Sequence, residues 1–412
     1  MNTHHPRAIG LWRSWALVAG MMIGSGIFTL PSLLASYGSY SFLGWAVTGF
    51  GALCLALTYA HLAAKKAGLG GPYFYVQQAF GRHLAGLVAW GYWFSLVAAV
   101  SAVALSFAGY CANYFPSINT SPLNSSLFAM GVVLIFMAIN LRGVREASVV
   151  QLVATVLKIL PLVIVGILGI IFGSVESIPA VMPKENTFFS MLSSLCLLIM
   201  WAFIGVESAT LPSEDTLTPE KTIPRASILG TLTATVVYVI ATLGLMSVLS
   251  LEELSQSSYP FALAAKQLLG HGGEMLVTFG ALFAIGGTLN VCLMMSGTMM
   301  LAGARDGIFP NSLQHQDEQG TPRNALIVSS AASICLLLMN ISESLLKGFE
   351  YLIILSTFAV LMVYLATGLA SLTLQWRARR TGISTAWPQV VTAALATGFS
   401  ILAIIGAWVI YQ

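Results

Sequence analysis

Eleven long apolar runs divide this chain, and no other feature limits its fold as much. A helix needs about 20 apolar residues to cross the hydrocarbon core. The runs fall at 12–35, 41–63, 84–115, 124–141, 147–173, 188–211, 226–249, 275–304, 323–341, 347–375 and 386–410. Only 8% of the 412 residues are charged, against about 25% in a soluble domain, so a soluble globular fold is excluded. Arg7 and Arg13 before an apolar stretch have the outline of a secretory signal. That stretch continues to about Leu34, too long for a signal's apolar region, and it is read as the first spanning helix.

Basic residues are retained on the cytoplasmic side of a membrane. With the N-terminus cytoplasmic, fourteen of the eighteen Lys and Arg residues fall inside, among them Arg7, Lys66 and Arg145. Lys184, Lys266 and Lys347 fall outside, and Lys158 lies within a span. The expectation is an all-α membrane protein of about eleven transmembrane helices. It is one transporter domain over residues 1–412, multi-pass in the cell's inner membrane, with the lipid bilayer as its solvent. The longest loops, near 64–83, 212–225 and 305–322, are cytoplasmic.

Other classes lack their marks. A net charge of +3 without a basic, aromatic-interleaved patch gives no footing for nucleic acid. Cys54, Cys111, Cys196, Cys292 and Cys335 form no CxxC pair and are read as small core residues. No HExxH occurs, and the histidines lie in loops or at termini, with His61 nearest a span. Neither an enzyme, a metal nor a cofactor is expected. No ring-forming selectivity sequence points to a channel.

Charges inside spans are costly and are functional hypotheses by default. Two lie deep. Lys158 sits roughly 16 Å along the fifth run; it is either a lysine that snorkels to the interface or an inward ammonium that replaces a bound cation or couples protons. Glu207 lies mid-way in the sixth run, where it either satisfies backbone donors or accepts a proton or senses substrate.

The first run contains Gly24-Ser25-Gly26, and Gly205 interrupts the sixth at a comparable place. Small residues can serve close helix packing. Paired Gly-interrupted segments in corresponding positions are also the best pointer to a transporter site. A half-helix starting near Gly26 offers N–H groups to a carboxylate. Carbonyls around Phe203 to Gly205 suit an ammonium, and Trp201 can cap such a site or stack on a cation. An amino acid or amine would be gripped at both ends.

The Gly24-Ser-Gly-Ile-Phe28 segment, the Gly70-Gly-Pro-Tyr73 loop, Trp201-Ala-Phe-Ile-Gly-Val-Glu-Ser208 and Thr218-Pro-Glu-Lys-Thr-Ile-Pro-Arg-Ala226 resemble the amino acid–polyamine–organocation transporters. The resemblance covers roughly residues 8 to 376 and is nearest to bacterial arginine/agmatine and polyamine exchangers. It implies a leucine-transporter-like fold of two inverted five-helix repeats, about 12–173 and 188–375, with an extra helix at about 386–410.

Carried over by position, it implies that Met22, Gly24, Ser25 and Gly26 meet the substrate from the first helix. Trp201, Phe203 and Ile204 do so from the sixth, and Ser95 and Leu96 from the third. Cys292 and Ser356 complete the pocket. Tyr92, Lys158 and Glu207 are implied in gating or coupling.

Three positions depart from the exchangers. Cys292 stands where they carry a tryptophan, and Met21 where the arginine exchanger has an asparagine. Lys158 resembles the lysine that proton-coupled permeases place at a former sodium position. The implied activity is secondary amino acid transport by alternating access with proton coupling. The alternative is obligate amino acid/polyamine exchange with Lys158 only structural. Oligomeric state, including a homodimer, is left open.

Overall fold

The computed structural model describes residues 10–65, 71–142, 148–182, 187–210, 216–317, 320–382 and 386–410. Arg7, Lys66, Gly70, Arg145 and Lys184, and the start of the fifth run at 147, lie outside them.

In lipid each spanning segment must satisfy its own backbone, so the apolar runs become helices. The first run is two helices, α1 (Leu11–Met22) and α2 (Ser25–Leu34), followed by α3 (Tyr40–Lys65), the short α4 (Pro72–Phe80) and α5 (Arg82–Ala112). Then come α6 (Pro122–Leu141), α7 (Ser148–Phe172), α8 (Phe188–Met200) and α9 (Pro219–Val248). The chain finishes with α10 (Leu251–Gln256), α11 (Pro260–Arg305), α12 (Arg323–Met339), α13 (Leu345–Arg380) and α14 (Trp387–Ile410).

Among the described residues, ten segments are long and apolar enough to span a membrane, and α12 is a shorter apolar helix of 17 residues. At 1.5 Å per residue α12 reaches about 26 Å, the short end of the spanning range. Helix starts carry local signals. Ser121, Thr187, Ser250 and Ser344 each accept a hydrogen bond from a backbone N–H three residues on, at 3.2 to 3.4 Å.

Several helices outrun their apolar cores. The eighth run was expected at 275–304, but α11 begins at Pro260 and bends at Gly270, where φ is +69°. Lys266, expected in an outer loop, therefore lies on this helix. The seventh run was expected from 226, but α9 begins at Pro219. The first turns of α9 are polar, and in α11 the polar, glycine-rich 266–274 stretch separates 260–265 from the long apolar run. Hydropathy therefore misses both starts, while the helices continue through them.

Burial sorts the bundle into centre and rim. The first, third and sixth spans are 83%, 83% and 78% enclosed, whereas α6 is 33% and the described part of α7 39%. The centre therefore consists of the two interrupted segments and α5. Near the C-terminal end of α13, the Arg380 guanidinium lies 3.8 Å over Trp376 and that of Arg379 4.4 Å over Trp387. Such basic–aromatic pairs suit a headgroup interface. Away from the centre, α7 and α9 meet backbone to backbone. A methyl on Gly169 would sit 2.2 Å from the Gly244 carbonyl oxygen, and one on Gly244 2.1 Å from that of Gly166.

Candidate functional site

The break in the first span is built by Ile23, which is extended, and by Gly24, which is neither helical nor in the standard extended region, at φ −148° and ψ −142°. No side chain caps α2 from Gly24, so its first-turn N–H groups remain available with the positive end of the helix dipole. Gly24 is required there, since a Cβ would lie 2.3 Å from Thr288 Oγ1 on α11.

The sixth span loses its helix after Met200. One 3₁₀ turn covers Trp201–Phe203, Ile204 is extended, Gly205 has φ +107°, and a second 3₁₀ turn covers Ser208–Thr210. A side chain is strained at the Gly205 backbone angle. The two breaks touch, for a Cβ on Gly26 would lie 3.0 Å from Ala202 Cα and one on Gly205 2.9 Å from Met21 Cβ.

Different neighbours hold the two halves of the first span. On α1, the Ala16 carbonyl accepts from Thr155 at 3.2 Å and the Gly20 carbonyl from Lys158 Nζ at 3.4 Å, both on α7. On α2, the Phe28 carbonyl accepts from Tyr110 at 2.8 Å, and Thr29 shares a 2.6 Å bond with Ser106, both on α5. From α9, Tyr238 donates to the Ala202 carbonyl at 2.9 Å.

Between the breaks lies a cavity of about 40 Å³. Met22, Gly24, Ser25, Gly26, Tyr92, Ser95, Leu96, Trp201, Ile204, Glu207 and Cys292, all singled out from the sequence, line it together with Met21 and Gly205. Ala99, Val103, Thr288 and Met295 also line it and were not anticipated.

Three expected residues stand back from the cavity lining. Phe203 is fully buried against Trp45 and Tyr238, at ring distances of 6.1 and 5.4 Å. Ser356 lies behind Ser95. Lys158 is buried with its ammonium at Gly20, next to the lining residue Met21.

Glu207 is fully buried. Its Oε1 accepts from the Tyr92 hydroxyl at 2.6 Å and its Oε2 from the Tyr364 hydroxyl at 2.8 Å. Two O–H donors suit an acceptor-only carboxylate, and such charge-assisted bonds are the strong ones. The pair joins the sixth span to α5 and α13 at the cavity lining. Trp201 also lines the cavity, and its Nε1–H is buried with no acceptor among the described residues.

On the loop side, the Tyr73 hydroxyl of α4 donates to Asp306 Oδ2, and Arg82 donates to the carbonyls of Asp306 and Gly307 at 3.1 Å each. Burial first, then the Asp306 hydrogen bond and charge, raise the Tyr73 phenol above its ordinary value. A second buried carboxylate, Glu274, sits away from this site and bonds His271 Nδ1 at 3.0 Å, with Lys266 Nζ at 3.5 Å. It lies within α11, one residue before the apolar run that begins at 275.

The chain matches a family model described as "Amino acid permease" over residues 9–411. It is 31% identical over 338 residues to a cadaverine/lysine antiporter of Escherichia coli (strain K12), covering 81% of this chain and 75% of that protein. An arginine/ornithine antiporter of Pseudomonas aeruginosa is 29% identical over 339 residues, covering 79% and 70%. A putrescine transporter of Haemophilus influenzae is 28% identical over 404 residues, covering 97% and 92%.

Proposed function

Because the chain belongs to the amino acid permease family, we propose that it carries amino acids by alternating access around its two interrupted spans. The observation that carries this reading is their convergence on one cavity at the centre of the bundle. Residues about 12–173 and 188–375 act as two inverted repeats, each beginning with an interrupted helix, and 386–410 is an addition to them.

The substrate carboxylate takes the N–H groups at the start of α2, from Ser25 and Gly26. Its ammonium takes carbonyls where the sixth span unwinds, near Phe203 and Ile204. Closure then moves the halves of the interrupted spans against α5, α7 and α13. Because α1 is tied to α7 and α2 to α5, the halves can move separately.

Proton coupling runs through Lys158 in this reading. Its ammonium holds α7 to the end of α1 at Gly20, and loss of the proton weakens that tie. Glu207 links the same movement to α5 and α13 through Tyr92 and Tyr364. The second reading, obligate exchange with Lys158 structural, is favoured by the antiporter names of two relatives.

Radiolabelled amino acid uptake into empty proteoliposomes, with and without an inward proton gradient, separates them. Gradient-driven accumulation in the empty vesicles supports proton symport. Uptake only into vesicles preloaded with amino acid supports exchange, and no uptake under either condition removes the transport reading.

A further inference from the structure

The cavity's chemistry restricts what it can hold. Away from the two breaks its lining is largely apolar, with Leu96, Ala99, Val103, Cys292 and Met295. Glu207 is the single acidic lining residue among the described ones, and each of its oxygens already accepts one tyrosine hydroxyl. A cationic side chain is left to share the remaining lone pairs of Glu207 with those two hydroxyls. A buried charge left without a counter-charge is strongly disfavoured.

A cation also stands behind the wall. Lys158 Nζ is 3.4 Å from the Gly20 carbonyl, and a methyl on Gly287 would lie 3.4 Å from the same nitrogen. Gly20 and Gly287 each adjoin a lining residue, Met21 and Thr288. In its protonated form this ammonium opposes a second cation in the cavity through a medium of low dielectric.

Size points the same way. On this measure a water needs about 10–15 Å³, so a cavity of about 40 Å³ has room for roughly three waters. Any amino acid must widen it, and a long side chain must widen it most.

One donor is left over. The Trp201 indole N–H is buried, lines the cavity and lacks a protein acceptor among the described residues. A methyl on Gly26 would lie 3.3 Å from Trp201 Cδ1, the carbon beside that nitrogen. The donor therefore stands at the start of α2, where first-turn N–H groups are also available. A buried N–H left unmade is costly, and an occupant with an acceptor at this point removes the cost.

We infer that the cavity takes a neutral amino acid with a short apolar side chain, its carboxylate bound at the start of α2 with the Trp201 indole N–H as an additional donor. The inference rests on the transport reading and narrows its substrate class away from the diamines and basic amino acids named for the relatives.

The test uses the purified full chain in proteoliposomes preloaded with mixed amino acids under an inward proton gradient, a condition that serves symport and exchange alike. Labelled alanine, valine, methionine, lysine, arginine, ornithine and putrescine are offered separately. Alanine or valine is expected to enter at least about tenfold faster than lysine, the discrimination set by about 1.4 kcal/mol. If a basic amino acid or putrescine is carried best, the inference is overturned while transport stands. If methionine is carried best, the short side chain is overturned. If nothing is carried, the transport reading falls and takes this inference with it.

Two variants test the parts. Trp201→Phe keeps a ring and removes the N–H, and should raise the half-saturation concentration for the best substrate about tenfold, as for one lost hydrogen bond to a charged group. An unchanged value, in protein that melts like the parent, overturns the donor role. Cys292→Asp places a carboxylate in the apolar wall and should shift the lysine-to-alanine uptake ratio upward about tenfold. A ratio that stays at the parent value in folded protein overturns the assignment of that wall to the side chain.

Discussion

Ser95 and Ser356 exchange hydroxyl hydrogen bonds across the α5–α13 contact. The Ser95 hydroxyl donates to the Ser356 carbonyl at 2.9 Å, and the Ser356 hydroxyl to the Ser95 carbonyl at 2.8 Å. Neither side chain needs water, so the pair locks the register of two helices deep in the bundle. Ser95→Ala and Ser356→Ala should each cost about 1 kcal/mol of stability, with a double variant that departs from additivity. Only Ser95 lines the cavity. Ser95→Ala should therefore also raise the half-saturation concentration, while Ser356→Ala leaves it unchanged, as melting curves and uptake kinetics will show.

Glu207→Gln tests the carboxylate between two tyrosines. A carboxylate accepts from both hydroxyls, whereas an amide offers one accepting oxygen and two donors. One tyrosine would lose its acceptor, and transport should fall more than about tenfold. Tyr92→Phe and Tyr364→Phe should each do less, and their effects should not add, because they share Glu207. Parent-level uptake by the Gln variant would reduce the arrangement to packing.

Gly24→Ala should abolish uptake, because the new methyl lands 2.3 Å from Thr288 Oγ1 and 2.9 Å from its Cγ2. Adding Thr288→Ala removes both atoms and should restore part of the activity. A double variant as inactive as the single would mean that the backbone at Gly24, not the contact, sets the requirement.

Lys158→Ala should abolish accumulation driven by a proton gradient while leaving exchange into preloaded vesicles measurable. Equal losses in both assays would assign the lysine to structure, and full gradient-driven uptake with unchanged pH dependence would remove it from coupling.

Tyr73 gives a prediction about pH. Its phenol is raised above the ordinary 10.0 by burial first and by Asp306 next. A folded value above the unfolded one stabilises fully below the unfolded value and loses that effect as pH rises through the folded one. The Tyr73–Asp306 bond should therefore be insensitive to pH between about 6 and 9 and weaken only in alkali. The pH profile of uptake should keep its shape in Tyr73→Phe over that range. A change of shape would place a titrating group at this contact.

The span count and the two interruptions were legible because each depends on local composition. Twenty apolar residues mark a helix in lipid, and Gly24 and Gly205 mark where two of them stop. The lining from α11 was harder to read. Thr288 and Met295 face the cavity only because of how α11 rotates against α2 and α5, and no local feature records that rotation.

Phe203 shows the same limit at a break. It is adjacent to Ile204, but the chain passes from a 3₁₀ turn to extended backbone between them. Phe203 packs against Trp45 and Tyr238 while Ile204 faces the cavity. Glu274 is missed because hydropathy begins the eighth span after the polar, glycine-rich 266–274 stretch that interrupts the apolar character of α11.

The seam between α7 and α9 bears on how such a bundle can rock. Elsewhere side chains interlock, and sliding one helix past another means lifting knobs out of holes. Where Gly169 and Gly166 face Gly244, backbone meets backbone, with the Ile240 side chain seated beside Gly166. At its glycines the seam is close to a plain bearing, with few side chains to interlock. A single methyl added there would act as grit, prising the two backbones apart and slowing the turnover of the whole machine.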